Sequence, residues 1–274
     1  MNFKNALVKT LVLAVLLLQG CSKKDSGPDA PDKEKPEEEK SVLHGKLKSV
    51  SWGTEYFYNS DGSLVKTETK LAGDLIAFQD FVYKDGLIAS SNASEKFPKS
   101  PETPLAPFFK QDFKYSGTQV VEIQEEYFVP EPKLNERRHM FVYDSKGFIK
   151  TKKTEIFGTD GSVFQLIVAR MTTDERGNVI KCEKDYYESG VFMSTSVEVN
   201  EYDNKTNPYF KLAKPVNVEE YFCPNNRTKT IITSDPGYPG TAFFDYEYNA
   251  AGQPVKITTR HDSSSHTVLL DYYD

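Results

Sequence analysis

Four histidines, two pairs of adjacent glutamates and three cysteines are the side chains with which this chain could do chemistry. Their spacing argues against most of it. His44, His139, His261 and His266 are scattered, and the nearest two stand five residues apart. On a strand, where side chains alternate, that offset sends them to opposite faces, and although a Ser-rich turn between them could make them converge, no metal site is predicted. Glu125-Glu126 and Glu219-Glu220 suggest the paired carboxylates of glycoside hydrolysis. Adjacent strand residues diverge, however, and both pairs read as solvated carboxylates. The Asp-Gly pairs at 61–62, 85–86 and 160–161 lack the alternating ligand spacing of a calcium loop and are explained by turn chemistry. There is no Gly-x-Ser-x-Gly elbow and no glycine loop to cradle a phosphate. The residues therefore predict no catalytic group, no metal and no cofactor.

The cysteines carry a different message. Lys4 and Lys9 precede the unbroken apolar run Leu11 to Leu18, which is too short to span a bilayer, a task that needs ~20 apolar residues. Its length suits the apolar region of an export signal. The run ends in Leu18-Gln19-Gly20-Cys21, which resembles the lipobox of bacterial lipoproteins. The resemblance implies a signal peptide over residues 1–20 and acylation of Cys21, so that the membrane is a partner through its lipid. Residues 21–41 are rich in Pro, Lys, Asp and Glu and hold no aromatic or β-branched residue. Such a segment cannot bury enough apolar surface to offset ordering, and it reads as an extended tether. Cys182 and Cys223 remain. In an oxidising compartment they could pair, or they could stand as two separate buried thiols.

Residues 42–274 form one expected domain. Without Lys4 and Lys9 the chain carries 32 basic and 40 acidic residues, a net charge of −8. That balance, with no basic block, argues against a nucleic-acid partner. The 16 Tyr and 18 Phe favour strands.

A strand–turn–strand phrase organises the domain. It occurs at Tyr58 to Leu64, Tyr83 to Ile88, Tyr115 to Val120, Tyr143 to Ile149, Thr173 to Val179 and Tyr248 to Val255. The glycine-to-glycine intervals from Gly62 are 24, 31, 30 and 30, and a further step of 30 lands on Asn207 in Tyr202 to Pro208. Asp or Asn with Gly supplies the turn, and the flanks alternate as strands do. Between these phrases lie second turns, so strands should alternate direction, with all glycine phrases on one edge and all second turns on the other. The second edge includes the stretches from Phe97 to Pro107, Pro130 to Asn135 and Pro236 to Gly240. Variable loops on a rigid scaffold are where binding usually resides, which makes these the candidate binding loops. Helix is limited to a turn or two near Pro208 to Leu212. At ~12 residues per strand and turn the domain would hold roughly 16–20 strands, too many for a flat open sheet. The expectation is all-β: an antiparallel meander of hairpins in a strongly twisted or rolled sheet, with two packed sheets or a barrel as alternatives.

Tyr-Asp-x-x-Gly-x-(Leu/Ile) resembles the YD repeat of Rhs-type proteins. More closely, the chain resembles the YD-repeat-like lipoproteins of Bacteroidetes-type bacteria. The lipobox, the charged tether, Tyr202 to Pro208 and Asn225-Asn226-Arg227-Thr228-Lys229 carry that resemblance. It implies a β-meander and an outer-membrane address, at the cell surface or alternatively the periplasmic face, and brings no catalytic residues. The function expected is a non-enzymatic binding module for a glycan, peptide or partner protein. An envelope polysaccharide hydrolase and an accessory subunit of an outer-membrane assembly are the alternatives.

Overall fold

The computed structural model describes residues 45–70, 76–96, 106–128, 136–210, 212, 222–235, 239–261 and 264–273. Cys21, Phe97, Pro130, Asn135, Pro236, His44 and the Glu219-Glu220 pair lie outside them, as do the signal and tether segments. The strands run β1 (Leu47–Val50), β2 (Thr54–Tyr58), β3 (Leu64–Lys70) and β4 (Ile76–Lys84). They continue as β5 (Leu87–Lys96), β6 (Ala106–Ser116), β7 (Gln119–Tyr127) and β8 (Glu136–Tyr143). Next come β9 (Ile149–Phe157), β10 (Val163–Thr173), β11 (Val179–Glu188) and β12 (Val191–Thr206). The last four are β13 (Asn225–Asp235), β14 (Gly240–Tyr248), β15 (Pro254–His261) and β16 (Ser264–Tyr272).

Each strand pairs antiparallel with the next, and β1 pairs with β16 in the register Leu47↔Tyr272 and Val50↔Leu270. The rolled meander therefore closes completely into a 16-stranded barrel, which leaves no open sheet edge to pair with another chain.

The glycine phrase explains one end of this barrel. The Asp144 carboxylate accepts the N–H groups of Lys146 and Phe148 at 2.8 and 2.9 Å, while Gly147 N–H donates to Asp144 O at 3.0 Å. Asp174 does the same for Arg176 and Asn178, and Asn59 and Asn249 hold Ser63 and Gln253. Tyrosines at this end, three of them opening a phrase and Tyr272 ending β16, reach sideways. Tyr83 Oη donates to Leu64 O at 2.9 Å, Tyr143 to Val120 O at 2.7 Å, Tyr202 to Val179 O at 2.9 Å and Tyr272 to Pro254 O at 2.8 Å. Each acceptor lies just past the turn glycine of the preceding hairpin. The phrase thus encodes both its own turn and its tie to its neighbour.

The seventh phrase is built differently. Strand β12 runs on through Tyr202 and Asp203, and the chain leaves for a long connection before returning as β13. Asp203 still accepts Lys205 N–H at 2.8 Å, but its second backbone donor is Asn226 N–H, at 3.2 Å, from the far side of the connection. Asn207 Nδ2 donates to Cys223 O at 2.9 Å and Asn225 Nδ2 to Lys205 O at 3.1 Å, so the two ends of the excursion are clamped together. In place of a helical turn, residues 207–212 make two successive turns, with Phe210 N–H on Asn207 O and Leu212 N–H on Tyr209 O.

The described ends of the excursion pack at the turn end of the barrel. Phe222 packs against Phe141 and Tyr143, and Cys223 joins Ile123, Val179 and Cys182 in one core cluster. Tyr209 and Leu212 pack on a second cluster containing Leu47, Phe81 and Leu270. Cys182 and Cys223 are buried thiols in this structure, and Cys223 Sγ accepts Val179 N–H at 3.4 Å.

Two glycines separate backbone strain from packing. Gly177 and Gly252 both take φ values that favour glycine, +94° and +79°. A Cβ on Gly177 would lie 2.8 Å from the Phe148 ring, whereas one on Gly252 would meet nothing within 4 Å. We expect Gly252→Ala to cost about 1 kcal/mol through strain and Gly177→Ala about 2–3 kcal/mol through strain plus displacement of Phe148. Urea unfolding of the two variants checks the order; equal losses would contradict it.

Candidate functional site

Register assigns every strand residue to the inner or outer wall, and the two walls differ in chemistry. The outer wall carries ion pairs around the circumference: Lys66–Glu68, Lys114–Glu122, Arg170–Asp185, Lys229–Glu201, Lys256–Glu247 and Arg260–Asp245. Arg138 and Lys153 share Glu155 on the same face. Exposed apolar residues such as Val82, Val142 and Leu269 stand between these charges. A lipid-facing barrel needs an outward apolar band ~25 Å tall, and each Lys or Arg at its midplane costs about 2–4 kcal/mol. The described wall carries no such band.

On the inner wall, β4 to β9 carry a polar ladder. Gln79 Nε2 donates to Ser91 Oγ at 3.0 Å, Ser91 Oγ to Gln111 Oε1 at 2.8 Å, and Gln111 Nε2 to Glu125 Oε1 at 2.6 Å. Tyr127 Oη donates to Glu125 Oε2 at 2.9 Å. His139 Nε2 lies 3.2 Å from the same oxygen, at ion-pair distance but outside hydrogen-bond geometry, and His139 Nδ1 is 3.0 Å from Thr154 Oγ1. Glu125 is therefore no solvated carboxylate. It points inward and is buried, while Glu126 points outward, as alternation requires. A carboxylate, an imidazole and a hydroxyl in line could relay a proton. All three are buried in the wall, which denies them a substrate.

Burial pushes the Glu125 carboxyl up, but the contacts with His139, Gln111 and Tyr127 outweigh it and bring it down to about 2. The His139 imidazole is lowered, first by burial and then by Lys152 and Arg137, against the opposing pull of Glu125. An ionised Glu125 beside a neutral His139 is the consistent pair, because the Gln111 and Tyr127 donors hold the carboxylate without a protonated imidazole.

A second inner sector lies on β11 to β14. Lys184 Nζ and Arg227 Nη1 both reach Glu198, at 3.1 and 3.2 Å, and the Arg227 guanidinium sits 4.7 Å over the Phe244 ring. Ile232 shares this wall through its pairing with Glu198 and is 39% exposed, so solvent enters the barrel here.

The described strand ends that flank the candidate loops fall at the end opposite the glycine turns. Of their residues the structure describes Pro107, in β6, and Gly240, at the start of β14, both exposed. At that same rim the adjoining hairpin ends of β10 to β12 expose Val163, Phe164, Val191, Phe192 and Met193, with Phe192 edge-on to Tyr187 at 5.7 Å. Sequence reading passed over them because 189–190 is a short turn. The available signal was Val191-Phe192-Met193, three apolar residues in a row where a strand should alternate.

Other expectations are corrected. His261 and His266 are not on opposite faces of one strand: they sit on β15 and β16, and the pairings Thr259↔His266 and His261↔Ser264 put them on the same face. Among the described residues no three histidine, cysteine or carboxylate side chains gather as a metal site would need. Several aromatic residues of the wall are structural. Tyr56 is in the core, Phe57 lies under Lys66, Phe243 under Arg260, and Tyr273 Oη donates to Tyr56 O at 3.1 Å. A shallow depression of about 580 Å³ outlined by Asp174, Arg176, Asn200 and Asp203 lies at the turn end, away from the candidate loops.

These features define a closed antiparallel barrel with a water-compatible outer wall, a packed turn end and an exposed apolar rim at the other. Among solved structures it is similar to a porin-like protein from Bacteroides vulgatus ATCC 8482, at 12% identity and a TM-score of 0.49, covering 83% of this chain and 98% of that one. It is also similar to a porin-like protein from Bacteroides uniformis ATCC 8492, at 10% identity and a TM-score of 0.38, covering 76% and 96%. No family model and no curated protein matches the chain. The fold rests on its own strand pairing, and no function is carried over from these neighbours.

The buried pair gives a pH prediction. Below about 6.5 an unfolded histidine takes up a proton that folded His139 refuses, so stability falls as pH drops through that value toward the lowered folded one. Glu125 acts on a lower window, its stabilisation being lost as pH falls from 4.5 toward 2. Urea midpoints of the native chain should decline between pH 7.5 and 5.5, and those of His139→Gln should decline less. An unchanged slope in the variant would refute the assignment.

Proposed function

We propose that this chain is a non-enzymatic outer-membrane lipoprotein of the YD-repeat-like kind, acylated at Cys21, whose barrel stands in water beside the bilayer. At its loop end it binds a glycan, peptide or partner protein. The observation that carries the binding reading is the apolar rim of β10 to β12. Val191 is 63% exposed and Phe192 54%, within a contiguous group of the kind that marks interaction sites. The charged outer wall supports a barrel outside the membrane, and the lipobox supports the anchor. The hydrolase alternative finds little support from the inward carboxylates Glu125 and Glu198, which are both buried and already paired.

Two measurements test this. In cells, Cys21→Ala should move the protein from the membrane fraction to the soluble fraction and abolish labelling by radioactive palmitate; retention in the membrane after that change would mean that the barrel itself is embedded. For the rim, Val191→Ser, Phe192→Ser and Met193→Ser combined should leave the melting temperature within a few degrees, these side chains being exposed. The same change should reduce retention of the cognate glycan or envelope protein at least tenfold in array and pull-down screens. Capture that survives the triple change would move the binding site elsewhere.

A further inference from the structure

Of the histidines, His139 is fixed by Thr154 and set against Glu125. His261 and His266 are placed differently. They stand at the loop end of the β15–β16 hairpin, where Thr259 pairs with His266 and His261 with Ser264. The two are therefore diagonal neighbours on one face, a relation that sets Cα atoms ~7–8 Å apart and Cβ atoms closer. That face is the inner one, because His266 alternates with Val268 and Leu270, and Leu270 lies in the core. Unlike the buried His139, His261 is exposed and His266 half-buried. Among the described residues neither imidazole makes a hydrogen bond, an ion pair or a ring contact.

The surroundings suit a cation. The inward positions beside the pair are Phe244, Thr259 and Ser264, none of them charged. Arg260, next to His261, points to the outer wall and is held by Asp245 at 2.7 Å. The chain as a whole is acidic, which favours the approach of a cation. Imidazole nitrogens select late first-row divalent ions, with Cu2+ the tightest of the series, whereas Mg2+ and Ca2+ take oxygen ligands. Metal–nitrogen bonds of ~2.0–2.1 Å allow one ion to bridge the rings of diagonal neighbours. We propose that His261 and His266 form a two-histidine site for a divalent late transition-metal ion, Cu2+ foremost, on the inner face of the rim. Three or more protein ligands hold a resident ion; two leave the other positions to water and make binding exchangeable. The site overturns the sequence expectation of no metal, which placed these histidines on opposite faces of one strand. It is separate from the apolar rim of β10 to β12 and does not rest on the reading of that rim.

Trp52 supplies a local reporter. It is the only tryptophan of the chain, and it follows Ser51, whose N–H donates to Leu269 O at 2.9 Å. His266 is three residues from Leu269, so the turn that carries Trp52 lies on the order of 10 Å from the site. The test titrates the full mature chain in detergent with Cu2+, Ni2+ and Mg2+, reading Trp52 fluorescence and heat. Cu2+ should bind and quench the indole, Ni2+ should bind more weakly, and Mg2+ should do neither. His261→Ala and His266→Ala should each weaken Cu2+ binding at least tenfold, because a lone imidazole loses the advantage of a second tethered ligand. His44→Ala should leave the affinity unchanged. If His266→Ala melts early, His261→Ala, at an exposed position, carries the test alone. Cu2+ affinity that persists in His261→Ala, a Mg2+ response equal to that of Cu2+, or Cu2+ binding that leaves Trp52 unquenched would overturn the proposal. Any of these would leave the binding-module reading standing, since its own test changes neither histidine.

Discussion

A buried tyrosine hydroxyl must find an acceptor, since leaving it unpaired costs about 1–3 kcal/mol, and at the turn end of this barrel the acceptor is repeatedly a carbonyl of the adjoining hairpin. Tyr58, Tyr83, Tyr143, Tyr202 and Tyr272 all solve the problem this way. The bond needs the neighbour in place and in register, so hairpins that would be marginal alone become mutually dependent. Closure through β1 and β16 extends the same logic around the ring, because Tyr273, just past β16, donates to Tyr56 O of β2 across β1. Tyr209 and Phe222, from the two ends of the excursion after β12, then pack against the ring of hairpins that these bonds hold.

With one end packed, polarity is distributed across the wall rather than along the axis. Outward ion pairs make the exterior compatible with water, and the inward ladder from Gln79 to Thr154 satisfies most of its polar atoms within itself. Such a network stabilises only while its members stay paired, and removing one leaves a buried orphan. The inner sector around Glu198 contrasts with it: paired, yet open to solvent. The first sector is closed by its own bonds, and the second keeps its cations partly in contact with water.

Strand, turn and spacing were legible because each depends on a few adjacent residues. Asp144 and Gly147 announce their turn wherever they stand, and Glu122, Gln124 and Glu126 announce an outer face. Closure was not legible, since Leu47 and Tyr272 are far apart in sequence and nothing local marks them as partners. Nor was the burial of Glu125, because its partners Gln111 and His139 sit on neighbouring strands. The step of 30 that lands on Asn207 meets a phrase in which Asp203 still caps a turn, but Asn207 takes no glycine-like φ and the second donor to Asp203, Asn226, comes from across an insertion. The misplacement of His261 and His266 has the same origin: a turn between them converts an odd spacing along one strand into a shared face on two.

The chain enters the barrel at Gly45, whose N–H donates to Tyr273 O at 2.9 Å, at the packed turn end. Any pull transmitted through the preceding segment therefore arrives along the axis of β1, which is flanked on both sides by hydrogen-bonded neighbours. The strand is loaded in shear, so its inter-strand bonds resist together instead of opening one at a time as they would under a peeling force. Held from that end and drawn taut, the barrel would point its opposite rim away from whatever it is fastened to.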